Sequence, residues 1–363
     1  MTSATTIPTK QRSAILACKR LGYAVDDLGE LDSKQRTDIC WHFPQYKEVF
    51  AAIPLPRERP TPSLDGCLVD PIRRAAIKFP KVKPAGDMCL ATVVSPGFES
   101  WLDTFMGSVK VWGCVDDFVK VCFVVDDDEG TCRKLAESHG WQVIDCHSLT
   151  TINAGIKAVM YSVSQVVDAK HYLCLDADML VFHDLRELVE ESRRNPGRIL
   201  LTNNDNADHP PKLGEQFVRL YKGAKHELAC FCGSSSDFQR IDDCPFVVND
   251  GMLCGDRQAF DALDKTIRDM PSAVEWIDHD ARVPYRNQFA LNSAIARLGC
   301  GKKTDDLWNV QLHFTRVDKW IETEKGVRPE WKGKMVKILH FTGPSKELYE
   351  RERLVYEWRA AKK

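Results

Sequence analysis

The chain alternates between short apolar runs and stretches in which apolar residues recur at helical spacing. From about residue 86 the runs MCLATVV, FVKVCFVV, WQVI and YLCL follow one another, each separated by a helical or loop segment. Apolar runs of this length predict buried strands, and their alternation with helices predicts an α/β fold with a mostly parallel central sheet. Further strands are predicted at RILLTN, FVVNDGML, NVQLHF and MVKILHF.

The same pattern divides the chain into three parts. Residues 1–85 are predicted to form a small N-terminal helical extension that ends in a proline-rich linker, PLPRERPTPSLDG. Residues 86–346 form the α/β domain, and residues 347–363 form a C-terminal helical tail. The mixed charges of the tail favour a docked or solvent-facing helix over a membrane contact.

The amino-acid composition limits the classes of molecule that the chain is expected to bind. Hydrophobic residues make up 44% of the 363 residues, charged residues make up 28%, and the formal net charge is -2. This balance predicts no nucleic-acid partner and leaves polar small molecules as the expected ligands. The N-terminus has no apolar core of signal-peptide length, and no apolar run is long enough to span a membrane, so a soluble, cytoplasmic protein is expected. Nothing in the sequence indicates an oligomeric state.

One apolar run, HYLCLDADMLVF, is interrupted by two carboxylates, Asp176 and Asp178. Parallel sheets bind ligands beyond the carboxyl ends of their strands, and residues i and i+2 of an extended segment point to the same side. Both carboxylates are therefore able to converge on one hard divalent cation. Acids after a strand also form solvated turns, and this motif alone leaves both interpretations open.

A second segment, ILHFTGPSK, adds an imidazole and an ammonium group. A short apolar strand delivers His340, and the Gly-Pro turn that follows brings Lys346 back towards it. An imidazole completes a metal site begun by two carboxylates, and a lysine suits a diphosphate held on that metal. The alternative for each residue alone is a half-buried histidine and a surface lysine.

Four motifs together resemble glycosyltransferase family 8, which includes glycogenin and bacterial lipopolysaccharide galactosyl- and glucosyltransferases. They are LDAD at the end of a strand, Asn-x-Gly in VVNDGML, Gln and Asn four residues apart in NQFALN, and HFTGPSK near the C-terminus. They occur in the family's order. The resemblance implies a GT-A type nucleotide-diphospho-sugar transferase fold and a retaining hexosyltransferase that uses Mn²⁺ or Mg²⁺ and a UDP-sugar donor.

The resemblance also implies roles for individual residues. Asp176, Asp178 and His340 would ligate the metal, with Ala177 between the two acids, and Lys346 and Gly343 would hold the diphosphate. Gln288 would lie beside the anomeric carbon. The remaining positions implied to contact the donor or acceptor are Thr92, Lys157, Asn249, Asp250, Gly251 and Asn287.

Two departures from the family pattern concern the donor. The family usually has an aspartate directly before the glutamine, whereas this chain has Asn287, which removes a carboxylate that binds donor-sugar hydroxyls. At the end of the first strand, LATVVSPGF keeps only Thr92 at a position comparable to the uracil-contacting residues. The sugar and the acceptor, which is a carbohydrate, a lipid-linked glycan or a protein, are not defined by the sequence.

Two other functions remain open at this stage. A strand ending in D-x-D also begins haloacid-dehalogenase-type phosphatases, in which Asp176 would be the nucleophile. Those enzymes place Thr or Val two residues after the second aspartate, where this chain has Leu180. The other alternative is a non-catalytic nucleotide-sugar or carbohydrate-binding protein on the same fold.

Within the transferase interpretation, no strong nucleophile lies near Gln288, so front-face substitution is favoured over a covalent intermediate. Asp250 is the one carboxylate within the matching motifs that is a candidate nucleophile for the covalent route.

Overall fold

The computed structural model describes residues 87–146, 157–204, 247–269, 286–312 and 317–341, together with residues 46–53 and single positions between 11 and 40. At positions 158, 268–269, 286–290 and 293 it describes the backbone alone. The chain divides into two compact units, Met1–Leu68 and Val69–Lys363. The predicted linker and the predicted C-terminal tail lie outside the described residues.

In the first unit, a buried arginine holds several chain segments together. The guanidinium of Arg36 donates hydrogen bonds to four backbone carbonyls, those of Leu28, Leu31, Phe50 and Ile53. The described helix of this unit is Lys47–Ala51. Apolar residues pack around these carbonyls, and the buried ones are Ala14, Leu28, Leu31, Ile39 and Phe50.

The second unit is built on a seven-stranded sheet with the order β3-β2-β1-β4-β7-β6-β8. Strand β7 runs antiparallel to both of its neighbours, and the other pairings in this sheet are parallel. The predicted α/β architecture with a mostly parallel central sheet is confirmed. The strands of this unit are β1 (Met88–Val94), β2 (Val119–Val125), β3 (Gln142–Cys146), β4 (His171–Leu175), β5 (Met179–Val181), β6 (Ile199–Leu201), β7 (Met252–Asp256), β8 (Gly301–Lys303), β9 (Val310–Gln311), β10 (Lys319–Thr323), β11 (Gly326–Trp331), β12 (Lys334–Met335) and β13 (Ile338–His340).

Both faces of the central sheet are covered. Alternate residues of β1 enter different apolar clusters, with Ala91 and Val93 in one and Leu90 and Val94 in the other. Burial on both faces explains why these strands read as continuous apolar runs. Among the described residues, no helix combines the length and apolar character needed to cross a membrane. The helices are Glu99–Trp112, Thr131–Ser138, Ala158–Tyr161, Val163–Val166, Arg186–Arg193, Arg257–Asp269 and Arg286–Leu298, with a 3-10 turn at Asp306–Trp308.

Two small sheets accompany the large one. Strands β10, β11 and β12 form an antiparallel meander, and β5, β13 and β9 form a second three-stranded sheet. In this second sheet β5 runs antiparallel to β13, and His340 lies opposite Met179. The segment directly after the two aspartates is therefore paired with the segment that ends in the predicted histidine ligand.

Candidate functional site

The two aspartates lie where the chain passes from the large sheet to the small one. Asp176 directly follows β4, and its backbone N–H donates to the carbonyl of Gly251 at 2.9 Å. The carbonyl of Asp178 accepts from the backbone N–H of Phe341 at 3.0 Å. These bonds, together with the pairing of β5 and β13, bring the aspartates beside His340.

Asp176, Asp178 and His340 form one cluster. Each offers a ligand atom, and these atoms all lie within 4.8 Å of one another. His340 Nε2 is 3.3 Å from Asp178 Oδ1 and 3.6 Å from Asp176 Oδ2. Asp176 and His340 are buried, and Asp178 is half-buried. Two carboxylates and one imidazole make a ligand set suited to a divalent cation.

Lys157 reaches the same cluster from the chain segment before β4. Its Nζ is 2.5 Å from Asp176 Oδ2 and 3.2 Å from Asp250 Oδ1. Burial lowers the pKa of Lys157, but the charges of Asp176 and Asp250 outweigh burial and hold the pKa above its ordinary value. The ammonium group is therefore a permanent positive charge next to the cluster.

The two aspartates differ in their electrostatic environment. Burial raises the pKa of Asp176 to about 6, against the opposing effect of Lys157. Burial also acts on Asp178, but the charge and hydrogen bond of His340 outweigh it and hold the pKa of Asp178 below its ordinary value. A buried carboxylate with a raised pKa is one that lacks enough positive charge nearby.

The surroundings of Asp176 Oδ1 indicate whether a cation fits the cluster of Asp176, Asp178 and His340. Asp176 Oδ1 is buried and has no hydrogen-bond partner among the residues that the structure describes. An ionised oxygen without a partner is costly in a protein interior, and a cation at the cluster would satisfy it. Among the described residues, the carboxylates of Asp176, Asp178 and Asp250 lie near the ammonium of Lys157. Three acidic groups beside one ammonium and one imidazole leave negative charge that a divalent ion would offset. The donor set fits a metal such as Mn²⁺ or Mg²⁺.

Asp250 is engaged on both of its oxygens. Oδ1 faces Lys157, and Oδ2 accepts from the hydroxyl of Tyr161 at 3.4 Å. Burial raises the pKa of Tyr161 well above its ordinary value, with a further contribution from Asp250, so the phenol keeps its proton as a donor. Asp250 is thereby held as a counter-ion of Lys157.

The far side of His340 is held by two buried asparagines. His340 Nδ1 is 2.9 Å from Asn309 Oδ1, and Asn309 Nδ2 donates to Asn249 Oδ1 at 2.9 Å. Asn249 Oδ1 also accepts from the backbone N–H of Gly251 at 2.9 Å. The Asn-x-Gly motif thus forms a support behind the imidazole.

Gly251 is in direct contact with the ring of His340. A Cβ at this position would lie 2.3 Å from His340 Cε1 and 2.8 Å from the Cε atom of Met179. Atoms do not approach each other this closely, so any residue with a Cβ would collide with the imidazole at position 251. The Asn-x-Gly motif therefore requires glycine at this position.

The helix that contains Asn287 and Gln288 is anchored next to this support. Asn292 Oδ1 accepts from the backbone N–H of Val248 at 2.9 Å, and Asn292 Nδ2 donates to the carbonyl of Val248 at 3.0 Å. Position 288 is one helical turn before Asn292. The side chains of Asn287 and Gln288 lie outside the described part of the structure, as do Gly343 and Lys346 altogether.

Two further predicted residues are buried. Thr92 lies within β1 and is fully buried, and within the described part of the chain its Oγ1 has no hydrogen-bond partner. Ala177, between the two aspartates, is also buried. Their roles in donor binding stay predictions.

Three residues of the site were not found from the sequence. Asn309, Tyr161 and Thr202 each contribute a buried hydrogen bond behind the cluster. Asn309 is the first residue of the predicted strand NVQLHF, where it reads as an ordinary polar residue. Its relation to His340 depends on the parallel pairing of β9 with β13, which apolar periodicity does not reveal.

No protein-family model and no curated protein matches the chain. Among solved structures, the chain is similar to the galactosyltransferase LgtC in complex with donor and acceptor sugar analogues, with a TM-score of 0.47 and 16% identity over 75% of this chain and 99% of that chain. It is also similar to mouse xyloside xylosyltransferase 1 in the apo form, with a TM-score of 0.45 and 14% identity over 72% of this chain and 98% of that chain. An active-site mutant of LgtC has a TM-score of 0.46 and 15% identity over 75% of this chain and 99% of that chain. At such low identity, the function of this chain rests on its own residues.

Proposed function

We propose that the chain is a GT-A type, family 8-like retaining glycosyltransferase that uses Mn²⁺ and a nucleotide-diphosphate sugar, with UDP as the nucleotide. One observation carries this proposal. A cluster of two carboxylates and an imidazole, with Asp176 and His340 buried and Asp178 half-buried, stands at the carboxyl end of β4. Among the described residues, one oxygen of Asp176 inside this cluster has no hydrogen-bond partner. Ligands of open α/β sheets bind at that edge.

The chemistry required is the transfer of a hexosyl group. The bond between the anomeric carbon and the diphosphate breaks with its electron pair on the diphosphate. An acceptor oxygen bonds to that carbon and passes its proton to the leaving diphosphate. Asp176, Asp178 and His340 would hold the ion, which when bound stabilises negative charge on the leaving diphosphate. The ammonium of Lys157 adds a fixed positive charge beside it.

Retention of configuration follows from the resemblance, and the state of Asp250 favours front-face substitution over a covalent glycosyl-enzyme. Both oxygens of Asp250 are engaged, by Lys157 and by Tyr161, which makes it a poor nucleophile. We therefore propose front-face substitution, with Gln288 beside the anomeric carbon as the resemblance implies. We assign Asn249 and Gly251 to the support of His340 in addition to the donor and acceptor contacts that the resemblance implies.

Other parts of the assignment continue the resemblance. Lys346 and Gly343 hold the diphosphate, Thr92 contributes to base recognition, and Asn287 stands at the position that contacts the donor sugar. The acceptor is a carbohydrate, a lipid-linked glycan or a protein.

The deciding experiment is donor hydrolysis by the full chain. A panel of UDP- and GDP-sugars is incubated with Mn²⁺ or with EDTA, and release of the nucleoside diphosphate is measured. Hydrolysis of one or more UDP-sugars that requires Mn²⁺ is expected. Binding of a UDP-sugar without turnover would indicate the non-catalytic alternative, and release of inorganic phosphate from phosphate monoesters would indicate the phosphatase.

A further inference from the structure

We propose that Asn309 is a positioning residue that keeps the proton of His340 on Nδ1, so that Nε2 is the nitrogen offered to the metal. This inference rests on the proposed role of the cluster as a metal site. Asn309 is fully buried directly before β9, and its side chain contacts His340, Asn249 and Thr202. Its effect is exerted through His340.

The orientation of the two asparagine amides follows from one backbone group. The N–H of Gly251 can only donate a hydrogen bond, so the Asn249 atom that lies 2.9 Å from it must be the side-chain oxygen. Amide oxygen and nitrogen are assigned from such partners. Asn249 Oδ1 is therefore fixed as an acceptor.

The same oxygen fixes the orientation of Asn309. The Asn309 atom 2.9 Å from Asn249 Oδ1 must be a donor, which makes it Nδ2. Nδ2 has a second acceptor in Thr202 Oγ1 at 2.8 Å. The other amide atom of Asn309 is then the oxygen, and this oxygen lies 2.9 Å from His340 Nδ1.

A carbonyl oxygen has no proton to give, so Nδ1 must carry the proton in this contact. The nitrogen that faces Asp176 and Asp178 is Nε2. With the proton on Nδ1, Nε2 is the nitrogen whose lone pair would hold a metal ion, because histidine binds metals as the neutral imidazole.

Gly251 contributes to the same arrangement by limiting where the ring can lie. The ring atoms Cε1 and Nδ1 stand close to the Gly251 backbone, at a distance that a Cβ would not allow. The amide network therefore selects the tautomer, and the glycine contact defines the position of the ring.

The first test is imidazole ¹⁵N NMR on the full chain, with the His340 signals assigned by their loss in His340→Gln. The Nδ1 proton of His340 is expected in the metal-free protein and also with Mg²⁺ and UDP. An unprotonated Nδ1 in the wild-type protein, in either state, would overturn the proposal. The proton on Nδ1 is thus read in the wild-type protein, and the variant serves only to assign the signals.

Two variants of Asn309 separate proton placement from simple structural support. Asn309→Leu removes the acceptor, so the Nδ1 proton should be lost or shared with Nε2. Asn309→Asp keeps an acceptor for Nδ1 but places an oxygen against Asn249 Oδ1, so thermal stability falls while the Nδ1 proton stays. Loss of the Nδ1 signal in both variants, or in neither, contradicts the proposal.

Metal affinity provides a readout other than activity. Mn²⁺ titration followed by electron paramagnetic resonance in the presence of UDP should show binding about 10–100-fold weaker in Asn309→Leu. Asn309→Asp should stay closer to the wild type. If the wild-type chain binds no Mn²⁺, the proposed function fails, and the NMR result still decides whether Asn309 places the proton.

Discussion

Asp178 and asparagine have the same shape but differ by a full charge, which makes Asp178→Asn the sharpest test of the metal site. We expect this variant to lose Mn²⁺-dependent UDP binding and to keep its fold, because a neutral amide is a weak ligand for a hard cation. Isothermal titration calorimetry measures the binding. Asp117→Asn, at an exposed position, is the matched control and should bind like the wild type. Unchanged affinity in Asp178→Asn would rule out the cluster as the metal site.

The contact between Gly251 and His340 leads to a second prediction. Gly251→Ala places a Cβ against the imidazole and Met179, so the ring cannot keep its present position beside the aspartates. We expect Mn²⁺ affinity to fall by about 10-fold or more and stability to fall by about 1–3 kcal/mol. Electron paramagnetic resonance and urea unfolding measure the two effects. Full Mn²⁺ affinity in this variant would show that His340 is not a ligand.

The parts of the site that were predicted from the sequence share one property. Asp176 and Asp178 follow a strong apolar run, and His340 ends another, so strand prediction alone places them at sheet edges. Asn309 has no such signal, because its contacts with Thr202 and His340 join segments far apart in the chain. Gly251 was predicted as a motif residue, but the sequence does not show why glycine is required there. The reason is the contact of its backbone with the imidazole of His340.

At the scale of single elements, alanine substitution at two glycines, one within a helix and one at its C-terminal end, should change the free energy of unfolding in opposite directions. Gly107 lies within the helix Glu99–Trp112, and a Cβ there meets nothing within 4 Å. Gly107→Ala should therefore stabilise the protein by about 0.5–1 kcal/mol through helix propensity. Gly113 caps the same helix, and its Cβ would lie 2.7 Å from the carbonyl oxygen of Val109.

We expect Gly113→Ala to destabilise the protein, since backbone atoms must shift to make room for the Cβ. Urea unfolding of both variants beside the wild type measures the difference. Equal changes in the free energy of unfolding would mean that the space around each Cβ does not decide the effect. Gly107→Ala also serves as the glycine control for Gly251→Ala and should leave Mn²⁺ binding unchanged.

The elements differ in how far they could be predicted. The run MCLATVV coincides with β1, because a strand buried on both faces is apolar throughout. The three-residue strand β5 was missed, since MLV after two acids is too short to show a period. The antiparallel direction of β7 was not predicted, because an apolar run has the same composition in either direction. MVKILHF was predicted as one strand and is split into β12 and β13.

At the scale of the whole molecule, the candidate site joins distant parts of the chain and therefore couples ligand binding to folding. Asp176 and Asp178 come from the middle of the sequence and His340 from near its end, so unfolding of the unit Val69–Lys363 destroys the site. A ligand that binds only the folded form raises stability by mass action. At a concentration 100 times its dissociation constant, the gain is about 2.7 kcal/mol.

We accordingly expect Mn²⁺ and UDP together to raise the melting temperature of the wild-type chain, as followed by circular dichroism. UDP with EDTA should give a much smaller rise, because the diphosphate then has no ion to bridge it to the aspartates. Asp178→Asn should show little response to the Mn²⁺ and UDP mixture, whereas Asp117→Asn should respond like the wild type. A rise produced by UDP with EDTA as large as that with Mn²⁺ would show that the nucleotide binds without the cluster, and the metal-bridged diphosphate would then be wrong.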